Sequence, residues 1–253
     1  VNPPIRDWSG KRVWIVGAST GIGAALAREL ASKGACLALS ARSRDKLEAV
    51  AGQTGQSAGA LVVPLDLTEP HSFSAAMTQI LHAWGAIDLV VFAAGTYEPV
   101  RAWDLDVEKT RRMFGTNLLG VIAGVGVLLP HLLKQGSGAI ALVASVAGYR
   151  GLPRSLIYGP TKAALINFAE ALYLDLRPRG ISVFLICPGF VATPLTAQNE
   201  FRMPALISAE EAAVHIREGF ERGEFEIHFP KRFTRAMKLL EILPYRLYFS
   251  VVK

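Results

Sequence analysis

Residues 12–34 read Arg-Val-Trp-Ile-Val-Gly-Ala-Ser-Thr-Gly-Ile-Gly-Ala-Ala-Leu-Ala-Arg-Glu-Leu-Ala-Ser-Lys-Gly. Val13 to Val16 is apolar, rich in β-branched residues and too short for a helix, which predicts a buried strand. Ile22, Leu26 and Leu30 then recur at helical spacing, and Gly34 supplies a stop. Between strand and helix stand Gly17, Gly21 and Gly23. Such a turn lets bare backbone amides approach a phosphate at the positive end of the helix. Glycine is needed there because a Cβ would block the tight turn and the close approach. An ordinary strand-to-helix loop is the plainer reading. The position between the first strand and its helix favours nucleotide binding.

Outward from this stretch the chain alternates strand and helix. Cys36 to Ala41 reads as a second strand and Asp45 to Gln53 as a helix. Leu61 to Leu65 is a third strand ending at Asp66, Glu69 to Trp84 a helix, and Ile87 to Phe92 a fourth strand. A long helical region runs from Val107 to Lys134. Ala139 to Ala144, Ile181 to Cys187 and Phe225 to Phe229 complete seven strands, with a helix from Ile157 to Arg177 before the sixth. Alternation at these intervals predicts a parallel sheet with helices on both faces. No repeat or linker interrupts the series, so residues 1–230 read as one α/β domain, followed by an extension over residues 231–253.

The bulk composition narrows the function classes. The chain has 253 residues, 51% of them hydrophobic and only 19% charged, which suits a large core and excludes a solvated, disordered chain. Cys36 and Cys187 lie in apolar strand-like runs and read as core thiols in a reducing compartment, pointing to the cytoplasm. The net charge is +6, but residues 231–253 hold six basic residues (Lys231, Arg232, Arg235, Lys238, Arg246, Lys253) against Glu241 alone. The body is therefore nearly neutral and offers nucleic acid no basic face. Leu118 to Pro130 is almost wholly apolar, yet thirteen residues cannot span a bilayer, and Pro130 is expected to end the run. That segment reads as buried in sheet packing or in a subunit interface. The five histidines are far apart and none has metal-ligand spacing, so no metal site is expected.

The chemistry gathers in the second half. Tyr158-Gly-Pro-Thr-Lys162 opens a helix, and residues four apart share one helix face. A lysine cation one turn away favours the phenolate and so predicts a lowered tyrosine pKa. Ser145 ends the fifth strand, at the carboxyl edge where open parallel sheets bind ligands. Asn117 lies within the long helix, where an apolar residue would be the ordinary choice.

These residues, in this order and on these elements, make the chain resemble the short-chain dehydrogenase/reductase family from about Asp7 to Phe229. The matching pieces are Gly17-x-x-x-Gly21-x-Gly23, Asp66, Gly95, Asn117, Ser145, Tyr158-x-x-x-Lys162 and Pro188-Gly-Phe-Val-Ala-Thr193. The resemblance implies a seven-stranded, mostly parallel Rossmann sheet with a nicotinamide cofactor and a carbonyl or alcohol substrate. Tyr158 would be the general acid in reduction and the base in oxidation. Lys162 would hold the nicotinamide ribose and depress the tyrosine pKa, Ser145 would bond the substrate oxygen, and Asn117 would hold a relay water. The turn residues Gly17, Ser19, Thr20, Gly21, Ile22 and Gly23 would hold the cofactor, with Ala94, Gly95, Pro188 and Gly189. Asp66 and Leu67 would contact adenine, and Val191 and Thr193 the carboxamide. The family also implies a homodimer or homotetramer.

Where many members carry Asn-Asn-Ala-Gly after the fourth strand, this chain has Phe92-Ala93-Ala94-Gly95, so two bracing amides are absent. About twenty residues past the glycine turn, NAD enzymes place an acid on the adenine ribose, whereas an arginine accommodates a 2′-phosphate. Here Ala41 is followed by Arg42, with no acid before Asp45, which favours NADP (as NADPH) over NAD. Phe201, Met203 and Leu206 suggest an apolar substrate pocket, and Ser208-Ala-Glu-Glu211 a capping box opening a helix.

Two further readings compete. One is a cofactor-binding sensor or scaffold without turnover, which the joint retention of Asn117, Ser145, Tyr158 and Lys162 opposes. The other concerns the tail. Phe233, Ala236, Met237, Leu240 and Leu243 are expected on one helical face, with Lys231, Arg235 and Lys238 opposite. Such a helix can cap the sheet, pack on a second subunit, or rest at the periphery of an anionic membrane.

Overall fold

Strand β1 (Arg12–Val16) is buried on both faces, which is why its sequence is continuously apolar rather than alternating. Val13 and Ile15 face one core, with Leu26 and Leu30 of helix α1 (Gly21–Ser32) and Phe220 of α7 (Ala209–Arg222). Trp14 and Val16 face the other, with Phe73 of α3 (Ser72–Trp84), Leu128 of α5 (Gly120–Gln135) and Leu165 of α6 (Tyr158–Leu176). The computed structural model describes residues 1–55 and 59–252. Its other strands are β2 (Cys36–Ser40), β3 (Leu61–Val62), β4 (Leu89–Phe92), β5 (Gly138–Val143), β6 (Ile181–Pro188) and β7 (Glu226–Phe229). All seven pair in parallel in the order β3-β2-β1-β4-β5-β6-β7, a single α/β Rossmann-type sheet with helices on both faces. The order reverses between β1 and β4, so a crevice opens beyond their carboxyl ends.

The third strand is shorter than the sequence suggests. Its regular ladder is confined to Leu61–Val62 at the edge of the sheet, where Pro64 is tolerated because its nitrogen faces away from β2. The backbone nonetheless continues alongside β2, with Val63 N–H on the Leu39 carbonyl at 3.0 Å and Leu65 N–H on that of Ala41 at 3.1 Å. Helix α2 (Arg44–Gly52) is capped by Ser43, whose hydroxyl accepts from Lys46 N–H.

The long middle helix runs from Val107 to Gln135 with Pro130 inside it, one residue beyond the expected Val107–Lys134, and departs from expectation in one respect. Between α4 (Val107–Phe114) and α5 it widens into a π turn, Gly115–Leu119, which contains Asn117. The whole helix is long and apolar enough to cross a membrane, yet 44% of its most apolar window is buried inside the fold. It is a core helix. Gly124 permits its close approach to the sheet, since a Cβ there would stand 2.9 Å from the Phe92 ring and 3.0 Å from that of Phe73. Cys187 is buried as expected, whereas Cys36 is exposed at the start of β2; both are free thiols.

The C-terminal residues form α8 (Lys231–Glu241) and α9 (Tyr245–Val251), packed on the body; Lys253 lies outside the described residues. The inward face of α8 carries Phe233, Thr234 and Met237, while Ala236 points outward, contrary to the periodicity argument. Thr234 is tolerated inside because its hydroxyl pairs with His228 Nδ1 at 2.6 Å and donates to the Pro230 carbonyl at 3.1 Å. Three consecutive residues before α6 hold the two helices. Tyr149 donates to Glu226, which also takes Lys238, and Gly151 accepts from the Tyr248 hydroxyl. Arg150 Nη1 donates to the carbonyls of Leu240, Glu241 and Leu243 at 2.7, 2.9 and 2.6 Å.

Candidate active site

The turn after β1 depends on its glycines. Gly17 has φ +97°, and a Cβ there would lie 2.3 Å from the Ala94 nitrogen; one on Gly23 would lie 2.2 Å from the Gly17 carbonyl oxygen. Bare backbone therefore packs against the end of β4 and lets α1 begin immediately. Thr20, the residue before α1, makes no side-chain cap, and the first turn carries no acid. By contrast Ser208 and Glu211 close α7 with a full capping box, as the sequence indicated. The amides at the head of α1 thus open on a cleft of roughly 860 Å³. This cradle, which a side chain would fill, suits a phosphate group.

The cleft collects nearly every residue singled out from the sequence. Gly17, Ser19, Thr20, Gly21, Ile22, Gly23, Arg42, Asp66, Leu67, Ala94 and Gly95 line it from the β1 side. Ser145, Tyr158, Lys162, Pro188, Gly189, Val191 and Thr193 line it from the β5 and β6 side. Asn117 does not. It is 0% exposed behind the wall, its Nδ2 on Thr161 Oγ1 at 3.3 Å and its amide paired with Thr96. Lys46, one helical turn beyond Arg42, also lines the cleft. The sequence offered that signal, a second cation four residues on, but its orientation depends on how α2 begins. Met203 and Leu206 stand outside the cleft: the Met203 sulfur accepts from Asn199 Nδ2 at 3.3 Å, and Leu206 is exposed. The apolar wall comes instead from Tyr97, Val146, Leu152, Phe190, Leu195, Phe201 and Phe233.

Tyr158 and Lys162 share the first turns of α6, as their spacing requires. Ser145 closes the small turn after β5, accepting from Ala147 N–H at 3.1 Å, and its hydroxyl is close enough to that of Tyr158 to favour the phenolate. Lys162 is 3% exposed, donates to the Val143 carbonyl at 2.9 Å, and lies 5.6 Å from the centre of the Tyr158 ring. Burial disfavours both charged forms. It pushes Tyr158 up to about 12, against the opposing influence of Ser145, and Lys162 down to about 8. The lowered phenol expected from the lysine is therefore not found; burial dominates the shift. Nearby Cys187 is pushed up by burial as well, so the thiol stays protonated.

The chain matches the short chain dehydrogenase family over residues 11–203. An uncharacterised oxidoreductase of Myxococcus xanthus is 34% identical over 240 residues, covering 94% of each chain. A short chain dehydrogenase/reductase from Burkholderia phymatum, solved in complex with NAD, superposes with TM-score 0.84 at 27% identity, covering 93% of this chain and 94% of that one. A short-chain type dehydrogenase/reductase from Mycobacterium marinum gives TM-score 0.78 at 28% identity, with 88% and 94% covered. The chain belongs to the short chain dehydrogenase family. It is an oxidoreductase of that family.

Proposed function

We propose that the protein interconverts a carbonyl and an alcohol with NADP(H), using Tyr158 as general acid and base. The observation that carries this reading is the meeting of Ser145, Tyr158 and Lys162 in the cleft that also holds the glycine cradle. When bound, the nicotinamide ring supplies or accepts the hydride. The protein's part is to orient and to move a proton. The Ser145 hydroxyl would donate to the substrate oxygen and steady the charge that develops there. The Tyr158 hydroxyl would pass its proton to that oxygen in reduction and take it back in oxidation. A phenol held at about 12 is protonated at neutral pH, so a proton is available to the substrate oxygen in the reductive direction. Lys162 would hold the nicotinamide ribose, with Asn117 retaining the relay water behind it.

The assignment of the remaining cofactor contacts follows the cleft wall. The turn from Gly17 to Gly23 would take the pyrophosphate, Asp66 and Leu67 the adenine, and Val191 and Thr193 the carboxamide, with Ala94, Gly95, Pro188 and Gly189 completing the wall. The Burkholderia relative was solved with NAD. The preference for NADP rests on this chain's own Arg42 and Lys46, which line the cleft with no acid beside them before Asp45. The wall around Phe190, Phe201 and Phe233 suits an apolar substrate. Self-association as a homodimer or homotetramer is assigned to the outer face of the middle helix, where Leu119, Ile122, Ala123, Gly126, Pro130 and Leu133 form an uncharged stripe.

Incubating the protein with aldehydes, ketones and alcohols, while following cofactor absorbance, tests the reading. Turnover with NADPH on apolar carbonyls is the expected result. Tight cofactor binding with no turnover across the panel would instead favour a sensor.

A further inference from the structure

The two C-terminal helices are fixed in place, yet they turn an apolar and basic surface outward. Along α8 the exposed side is Arg232, Arg235, Ala236, Leu239 and Ile242, and α9 adds Phe249. Leu239, Ile242 and Phe249 are 60%, 76% and 65% exposed. These side chains cannot fold back to cover themselves, because Arg150 and Tyr248 hold the helices against the loop before α6. An apolar patch of this kind marks a surface that another body covers.

The charge around the patch identifies that body. Lys231 and Lys238 are engaged with Glu224 and Glu226. Arg232, Arg235 and Arg246 form no ion pair among the described residues, and Glu241 is the only acid on either helix. A second copy meeting this face would gather three arginines from each chain with only one acid, Glu241, from each to offset them. A bilayer has no such conflict. Protruding Leu, Ile and Phe side chains enter the acyl boundary without a matching groove, and arginines at the rim meet lipid phosphates. Tyr245, exposed beside Phe249, is of the type enriched at membrane–water boundaries.

We propose that the outer face of α8 and α9 is a docking surface for an anionic lipid bilayer. The inner face of α8 carries Phe233, which lines the cleft and lies 5.7 Å from Phe190 between ring centres. Docking would therefore bring the apolar wall of the cleft within one helix thickness of lipid. On the oxidoreductase reading, the substrate would be a lipophilic carbonyl or alcohol drawn from the membrane. The docking itself does not depend on that reading and is measured without turnover.

The test is co-sedimentation of the full chain with phosphatidylcholine vesicles, with and without phosphatidylglycerol. The protein should pellet with the anionic vesicles at low salt and leave them as salt rises. Arg232→Gln and Arg235→Gln should each weaken partitioning by about fivefold. The triple variant Leu239→Glu, Ile242→Glu, Phe249→Glu should remain in the supernatant, with unchanged circular dichroism, melting and NADPH binding. The proposal fails if the full chain ignores anionic vesicles at low salt, or if the triple variant still binds them. It fails equally if the parent forms a dimer that the triple variant dissolves while neither binds lipid.

Discussion

Asn117 clasps Thr96 at both main-chain groups: its Oδ1 accepts the Thr96 N–H at 2.7 Å, and its Nδ2 donates to the Thr96 carbonyl at 2.8 Å. This brace sits just past β4, beside Ala93 and Ala94, which have no side-chain amide to offer. The π turn that presents Asn117 is consistent with such a task, since widened turns inside α-helices recur at functional sites. Asn117→Ala should strip both Thr96 groups of partners and lower stability by about 2–4 kcal/mol in urea unfolding. Asn117→Asp, which sets a buried carboxylate oxygen against the Thr96 carbonyl, should cost at least as much. An alanine variant as stable as the parent would show that the clasp is dispensable.

Tyr158→Phe should reduce turnover by about 10²–10⁴-fold while cofactor affinity stays within twofold or so, because the ring is kept and only the proton donor is lost. Single-turnover rates together with a cofactor titration read the two quantities separately. A variant turning over like the parent would remove the hydroxyl from the mechanism.

Lys162 gives a pH signature in stability. Burial lowers its pKa to about 8 from an ordinary 10.5, so between those values the unfolded chain binds the proton that the native chain has released. Stability then rises with pH across that window, and the cost of burying the cation is felt below it. Cys187 and Tyr158, both pushed up by burial, oppose the trend above their ordinary values of 9 and 10, and comparison with a Lys162 variant cancels them. Measured by urea unfolding, the parent should gain roughly 2–3 kcal/mol on Lys162→Met between pH 7 and pH 10. A constant difference between the two proteins would contradict a depressed lysine.

Much of the site was legible because its signals are local. Three glycines between a strand and a helix, a serine at a strand end and a Tyr–Lys pair one turn apart each imply their own geometry. What escaped depends on partners distant in sequence. The π turn is tied to Thr96 and Thr161, neither of which marks Asn117 as unusual within an apolar helix. The inward side of α8 includes a threonine because His228 is there to receive it, which no periodicity within the helix reveals. The direction of the Tyr158 shift escaped for a related reason: adjacency to Lys162 is visible in sequence, but the depth of burial is not. Arg42 was legible by its distance from the glycine turn. Lys46 beside it required the orientation of α2.

Cofactor choice should follow that pair. NADPH should bind the parent more tightly than NADH by roughly ten- to a hundredfold, the value of one or two charge-assisted contacts to a phosphate. Arg42→Ala should erase most of the gap and Lys46→Ala a smaller part, with NADH affinity unchanged in both. Equal affinities in the parent, measured by titration, would refute the assignment.

Arg150 connects the tail to the loop between Ser145 and Tyr158. Its guanidinium donates to three carbonyls at the C-terminal end of α8 and just beyond, and lies 4.0 Å from the centre of the Tyr248 ring. Carbonyls at a helix end lack partners within the helix, so a cation there supplies what the sequence after α8 does not. On the other side, Arg150 lies on the connection between Ser145 and Tyr158, both of which line the cleft. Arg150→Met should therefore do two things at once. It should destabilise the fold by about 2–4 kcal/mol and make residues 240–252 the first site of limited proteolysis. It should also reduce turnover, because the connection carrying Tyr149, Arg150 and Gly151 loses its anchor to α8. Arg150→Lys keeps the charge but not the fork, so it should recover only part of both losses. A methionine variant with parental melting, proteolysis and turnover would show that the tail and that loop are independent.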